Sequence, residues 1–348
     1  MTLTIAGSNY TSSILDGTLT IRKFGTLRSS FYVKLTLTGS GSVPKAGEEI
    51  LLTEKDQVLW GGILIETEIE CHSPSLASVT LRGQGYEQIL QRFCLPRIVL
   101  DEMTPTDAAT FIFNEYVPQE DGLTVGIIDP GPGLSNAYDF YPAKASSVFD
   151  YLAKENGYFW WVDADKKFYM RGILPLTSSE ISIDLTEKDP NRLIDLQTFV
   201  LRESTAGYRN VHIAYNKHNY AYYKSFHVEE LGRMIQRYGS GQYGAATNSS
   251  LIQTQTDAQL LAEQMLSSAP GPDEIEFTTD SNCFILGQVI SVTAPVCGIK
   301  EPQNFTVSET KAVYFAGEFR YTITATRRMS DTPVSLQWEQ ALAAKTTN

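Results

Sequence analysis

Residues 1–95 are written as short runs rich in β-branched and aromatic side chains: Leu19-Thr-Ile-Arg, Phe31-Tyr-Val-Lys-Leu-Thr-Leu, Glu49-Ile-Leu-Leu, Val58-Leu-Trp-Gly-Gly-Ile-Leu-Ile and Ala77-Ser-Val-Thr-Leu-Arg. Gly, Ser and Pro separate them. Successive side chains of a strand point to opposite faces, so such runs bounded by turn residues confine the segment to a strand-rich barrel or sandwich. It closes with Gly85-Tyr-Glu-Gln-Ile-Leu-Gln-Arg-Phe, enough for a helical turn or two.

The texture changes over residues 96–178, which read as an α/β module. Thr104-Pro-Thr-Asp supplies a capping hydroxyl, a proline at the first helical position and an acid three residues after the cap. Ala108, Phe111 and Ile112 are expected on the buried face. A second helix opens at Ser147-Val-Phe-Asp with Val148, Tyr151 and Leu152 as its stripe and Gly157 as its stop. The loop Asp129-Pro-Gly-Pro-Gly lies between them. Beyond the second helix, Tyr158, Trp160 and Val162 share one strand face, Phe159 and Trp161 the other. Asp163-Ala-Asp-Lys turns the chain, and Lys167-Phe-Tyr-Met returns it. Aromatics on both faces predict a strand covered on both sides. A carbohydrate-stacking platform has the same appearance in sequence, but the stretch holds no His, Cys or Ser arranged as a reacting group.

Residues 179–330 return to strand texture, with Leu196-Gln-Thr-Phe-Val-Leu and Val211-His-Ile-Ala-Tyr at the start of a second β region. An insertion at about 239–270 begins with a loop (239–250) whose composition cannot build a core, followed by a helix with Leu260, Leu261 and Met265 apolar. A short helix, Ser335 to Ala344, is expected in the tail 331–348. The two β regions repeat weakly. Gly47 leads to Ile50, Ile65-Glu-Thr and Val79-Thr-Leu; Gly287 leads to Ile290, Ser308-Glu-Thr and Tyr321-Thr-Ile. A duplication is the hypothesis that follows.

With 348 residues, two or three domains are expected, and a 42% hydrophobic share leaves room for their cores. Forty acids against 28 bases give a net charge of −12, which disfavours gripping phosphates through counterion release. It does not disfavour a surface that DNA slides past. No run approaches the roughly 20 apolar residues of a membrane span, so no membrane insertion is expected, and folding in a cytoplasm is. Cys71, Cys94, Cys283 and Cys297 lack close CxxC pairing and read as buried free thiols.

The sequence offers little for chemistry. His218 and His227 are not at the i, i+4 spacing of a helical zinc pair, and His72 beside Cys71 would point to the opposite strand face. His212 stands apart. Glu66, Glu68 and Glu70 share a predicted strand face, where solvation or a channel suits them better than glycoside hydrolysis. Gly83-Gln-Gly lacks the third glycine of a nucleotide loop and reads as a turn. No catalytic, metal or cofactor-binding residues are assigned, and no cofactor is expected.

In the order of its parts the sequence resembles the central hub proteins of phage tails and related contractile injection machines. Residues 46–65 (AGEEILLTEKDQVLWGGILI), 85–93 (GYEQILQRF) and 140–170 carry the likeness, together with the helix at 256–266, Leu286-Gly-Gln-Val-Ile, Phe305-Thr-Val and Tyr321-Thr-Ile-Thr-Ala-Thr. The resemblance implies a mainly β fold with α+β elements: two tube-protein-like β-barrel domains and an intervening α/β module. It also implies a homotrimer whose ring of six barrels joins a hexameric tail tube and distal tail proteins to a threefold spike or fibre. The resemblance further implies a channel through which DNA passes without specific binding. Such a protein is not an enzyme, belongs to the virion tail and is assembled in the bacterial host cytoplasm. The alternatives are an envelope-degrading lysin or peptidase and a host glycan-binding module that depends on Trp160 or Trp161.

Overall fold

The structure, a computed structural model, describes residues 1–24, 29–38, 42–54, 57–92, 94–130, 136–156, 158–171, 181–185, 194–205, 208–219, 221–236, 239–249, 252–267 and 271–327. The expected helix at 335–344, the helix stop at Gly157 and residues 131–135 of the proline-glycine loop lie outside these. The fold is mainly β, and the same strand order occurs twice. In the first unit it runs Thr20–Phe24, Ser30–Thr38, Leu76–Gly85, Gln57–Ser73, Glu49–Glu54, Thr2–Ile5. In the second it runs Asp195–Glu203, Asp273–Thr279, Glu318–Arg327, Ile299–Phe315, Val289–Ala294, Ile181–Asp184.

The repeat extends to hydrogen-bond detail. The three consecutive strands 49–54, 57–73 and 76–85 are 6, 17 and 10 residues long, and so are 289–294, 299–315 and 318–327. Each long strand carries a bulge where the sequence reads x-Glu-Thr: the register shifts between Leu64 and Glu66 and between Val307 and Glu309. A bulge adds one residue and bends the strand, which lets one strand pair with two different neighbours along its length. Each bend is held by the same clamp. The Gly47 N–H donates to Leu64 O and the Leu64 N–H to Glu48 O (2.7 and 2.9 Å); Gly287 to Val307 O and Val307 to Gln288 O match them (2.9 and 2.9 Å). The clamp needs glycine, since φ is +95° at Gly47 and +77° at Gly287. The shared register makes Leu81, Val33, Ile50 and Leu52 the counterparts of Ile323, Phe277, Ile290 and Val292, all eight buried. The repeat legible in the sequence is therefore a repeat of core positions and of one strand-bending device.

The two units are one sheet. Strand Ile299–Phe315 continues past its bulge to pair with Thr20–Phe24, Glu309 opposite Phe24 through Val313 opposite Thr20. Each unit keeps its own core, the first around Leu3, Phe31, Leu35, Trp60 and Leu81, the second around Phe277, Ile290, Phe305 and Ile323. Gly83-Gln-Gly is not a turn but the end of strand Leu76–Gly85. Its glycine lies in a crowded place: a Cβ on Gly83 would press on the Trp60 ring at 3.1 Å, and one on the neighbouring Gly62 would lie 2.5 Å from that ring and 2.1 Å from the Gln84 carbonyl oxygen.

Helix α1 (Glu87–Arg92) leads into the middle module. Helix α2 (Pro105–Tyr116) starts as its capping residues predict, the Asp107 N–H donating to Thr104 Oγ1. Its buried face is Ala108, Ala109, Ile112 and Phe113, whereas Phe111 is 36% exposed and rests edge-on against Tyr116. Helix α3 (Ala145–Asn156) buries Val148, Phe149 and Leu152; Tyr151 lies on the flank against Tyr138 and Phe140. In both helices two aromatics competed for one stripe, and the module core took the one facing Phe168.

Val211–Tyr215 does not join the large sheet. It is the centre of a three-stranded sheet, antiparallel to Tyr222–Phe226 and parallel to Gly244–Asn248. Residues 239–250, expected as a loop, thus contain a strand, whose partner lies more than thirty positions upstream and so leaves no local pattern. Helix α4 (Val228–Ile235) and helix α5 (Gln255–Ser267) complete this insertion. Ala258, Leu261, Ala262 and Leu266 are the buried stripe of α5, and Leu260 is 41% exposed. The insertion occupies the connection between Asp195–Glu203 and Asp273–Thr279, which in the first unit is the short link between Thr20–Phe24 and Ser30–Thr38.

Candidate functional site

Because cross-strand partners share a face, the registers define one largely polar surface that runs across both units, with Val200 and Val313 as apolar members. From the first unit come Thr20, Arg22, Tyr32, Lys34, Thr36, Thr80 and Arg82, joined by Glu66, Glu68 and Glu70 beyond the bulge. From the second come Arg202, Glu274, Glu276, Thr278, Glu309, Lys311, Thr322 and Thr324. The three glutamates share a face as the alternation predicts. Of the three, Glu66 accepts from Arg82 Nη1 at 3.0 Å, while Glu68 and Glu70 lie opposite Thr80 and Ser78; in the second unit Arg202 Nη1 donates to Glu276 Oε2 at 3.0 Å and to Glu274 Oε1 at 3.3 Å. Across the junction Arg22 donates through Nε and Nη2 to Glu309 Oε1 (3.1 and 2.9 Å). Among the described residues of this surface the three arginines Arg22, Arg82 and Arg202 are each bonded to a glutamate.

The aromatic hairpin is tied to the first unit at its tip. Strands Phe159–Val162 and Lys167–Arg171 pair as expected, and Lys167–Arg171 is also flanked by the parallel strand Thr124–Ile128. Trp160 packs on Phe149 and Phe168 and donates from Nε1 to Asp150 Oδ1 at 2.7 Å. On the other face Trp161 stacks on Tyr169, centroids 5.1 Å apart and 9° from parallel. In the turn, Lys166 Nζ reaches Glu49 Oε1 (2.9 Å), which also accepts from Tyr86 Oη (2.7 Å), and the ammonium lies 5.0 Å from the centre of the Tyr86 ring. Burial acts to raise the Glu49 carboxyl, but the hydrogen bonds from Tyr86 and Lys166 and the lysine's charge outweigh it, so its pKa falls below the usual carboxylate value. Burial, then the bond to Glu49, pushes the Tyr86 phenol up.

Between this tip and the two units lies a cleft of about 420 Å³, with Lys23, Trp60, Glu87, Trp161, Phe284 and Tyr321 on its walls. Burial lowers the Lys23 ammonium pKa against the pull of the Glu87 charge, and Trp60 Nε1 donates to Ser29 Oγ at 3.2 Å. This is a mainly apolar seam in which Lys23 and Glu87 are charged neighbours and Ser29 and Asp163 also reach the wall.

The four histidines are dispersed. His72 is exposed, with Nε2 2.6 Å from Ser78 Oγ. His218 is exposed on a turn. His212 and His227 are buried in the insertion, against Thr247 Oγ1 and the Leu266 carbonyl, each at 3.1 Å. Among the described residues no cluster of His, Cys, Asp and Glu is arranged to hold a metal. The cysteines are free, but the expectation that they are buried fails: Cys71 and Cys94 are exposed and Cys283 and Cys297 half-buried. Cys71 sits where strand Gln57–Ser73 runs beyond the core, so its apolar neighbours in sequence cover nothing. The polar surface itself was legible only in part. Its Glu66, Glu68 and Glu70 row shows in sequence, but the Arg22–Glu309 pair elsewhere on it joins residues 287 positions apart.

No family model matches the sequence, and no curated protein does. Solved structures do. The tail protein from Neisseria meningitidis MC58 superposes with a TM-score of 0.70 at 13% identity, covering 93% of this chain and 95% of that one. The 43 kDa tail protein of prophage MuSo2 from Shewanella oneidensis gives 0.68 at 12%, over 94% and 98%. The E. coli c3393 protein, a component of the type VI secretion system described as structurally similar to the T4 bacteriophage tail proteins gp27 and gp5, gives 0.54 at 11%, over 96% and 78%. Across nearly its whole length, then, this chain has the fold of phage tail proteins and of their type VI secretion counterpart.

Proposed function

We propose that the chain is a structural, non-enzymatic hub of a phage-type tail. Three copies form a ring of six β units that joins a hexameric tail tube to a threefold spike or fibre. The observation that carries this reading is the duplication: one strand order, one bulge and one glycine clamp, each present twice per chain. A chain with two near-equivalent units presents sixfold spacing with threefold symmetry, which is what joining unequal symmetries demands. The polar surface of threonines and paired charges is then the channel wall, past which DNA moves without lasting contacts. The middle module and the insertion stand outside the ring, where they meet other tail proteins.

Mass in solution, measured by light scattering across a concentration series, tests the ring. The expected species is about 116 kDa, three times the chain's 38.7 kDa. A chain that stays at monomer mass at the highest concentration reached contradicts it.

A further inference from the structure

The cleft between the hairpin tip and the two β units holds a lysine where its strand calls for an apolar residue. Side chains of a strand alternate between faces, so Leu19, Ile21 and Lys23 point the same way. Leu19 and Ile21 are buried in the first core, and Lys23 takes the next inward position. Its cross-strand partner Thr310, and Ala312 opposite Ile21, line the same cleft. A lysine at a surface carries its charged end into water along an apolar stem. The Lys23 stem leads inward instead. Among the described residues its amine makes no hydrogen bond or ion pair, and Glu87 acts on it through charge alone. A buried donor left in this way is costly, and burial favours the neutral amine, whose lone pair is a nucleophile.

The rest of the cleft decides what can approach that amine. Trp60, Trp161, Phe284 and Tyr321 give it apolar walls, and its volume of about 420 Å³ is that of a small-molecule pocket. Glu87 and Asp163 on the same walls disfavour an anion. A neutral, apolar molecule with one carbonyl fits both conditions, since its oxygen accepts from the amine and its carbon is open to attack. We propose that the cleft takes a small apolar aldehyde and that Lys23 Nζ adds to its carbonyl carbon to form an imine. The nitrogen lone pair makes the C–N bond while the π pair of the carbonyl moves to oxygen. The C–O bond then breaks, and the oxygen leaves as water with both amine protons. Nothing is oxidised or reduced. Lys23 is thus a modification site enclosed by three parts of one chain, and a monomer and a trimer would react alike.

The test adds hexanal and sodium cyanoborohydride, whose hydride reduces the imine carbon, to the full chain at pH 7. Peptide mass spectrometry follows the hexyl group at each lysine. Lys23 should be alkylated at least about tenfold faster than the exposed Lys144, Lys217 and Lys300, tenfold being the gain in neutral amine for one unit of pKa. Hexan-1-ol, which occupies an apolar cleft without reacting, should slow Lys23 severalfold and leave the other three unchanged. Glyoxylate, an anionic aldehyde, should show no preference for Lys23. In Lys23→Arg the fast phase should vanish while the exposed lysines react as before. Hexanal that alkylates Lys23 no faster than the exposed lysines overturns the site. Fast alkylation that hexan-1-ol does not slow also overturns it, because the amine would then be reactive without an apolar pocket to receive the aldehyde.

Discussion

The two β units share an order of strands and differ in what fills them. In the first, Trp60 is 2% exposed, stacks on Phe31 at 5.0 Å and lies over Gly62 and Gly83; its counterpart in the second is Gln303, half-buried, with Phe305 occupying the place of Gly62. Strand Glu49–Glu54 of the first unit opens with Glu49, which anchors the hairpin of the middle module, where the second unit has Val289. The first also pairs Thr2–Ile5 antiparallel with its neighbour, while Ile181–Asp184 pairs parallel with Val289–Ala294. What the copies retain is therefore the bend and the inward-facing positions. What they have changed are the surfaces by which each holds something else. Packing constrains volume and spacing at core positions, and the ends of strands are free to take on new partners.

Three experiments press on this contrast. The largest effect is expected from Trp60→Ala, which removes a fully buried indole and leaves a cavity beside two glycines; about 3–5 kcal/mol should be lost. Gln303→Ala, at the equivalent place, should cost under about 1 kcal/mol. Chemical denaturation reads both, and similar losses would mean that the two cores are filled alike.

A smaller effect concerns the insertion, which only the second unit carries. Burial, helped by the Arg209 charge, pushes His212 down to about 4. Unfolded, the same imidazole titrates near 6.5, so the unfolded chain binds the proton more readily throughout that window. The stability this neutral histidine supports is present above about pH 6.5 and is lost as the pH falls toward 4, by about 1–3 kcal/mol. Hydrogen exchange in Val211–Tyr215 should quicken between pH 7 and 5 after correction for intrinsic rates, with Leu76–Gly85 unchanged. In His212→Gln the pH dependence should flatten.

The smallest effect should be the same in both units. Gly47→Ala and Gly287→Ala each force a side chain into the left-handed region at about 1–2 kcal/mol. Losses that differ by more than about 1 kcal/mol would show that the two clamps do not carry equal strain.

Much of this architecture was legible in the residues. The strand texture of both units, the cap at Thr104, the hairpin at 159–171 and the Gly…x-Glu-Thr repeat depend on local spacing, and local spacing is what a sequence displays. The insertion was misread at two points for a common reason: Val211–Tyr215 and Gly244–Asn248 stabilise each other across a long connection, and neither carries a pattern that says which sheet it joins. Choosing between Phe111 and Phe113, or Leu260 and Leu261, requires knowing the angle at which the helix meets its sheet. The balance of charge on the polar surface was hidden more deeply, since Arg22 and Glu309 meet only after the whole chain has folded.

Ala312 and Phe319 belong to the core of the first unit. A ribosome releases that unit's own strands long before these two residues emerge, so the nascent first unit waits with an open flank until strand Ile299–Phe315 has been made. The carboxyl-terminal β arm is thus a closing piece for the beginning of the molecule, and a chain cut short ahead of it would leave both halves unfinished.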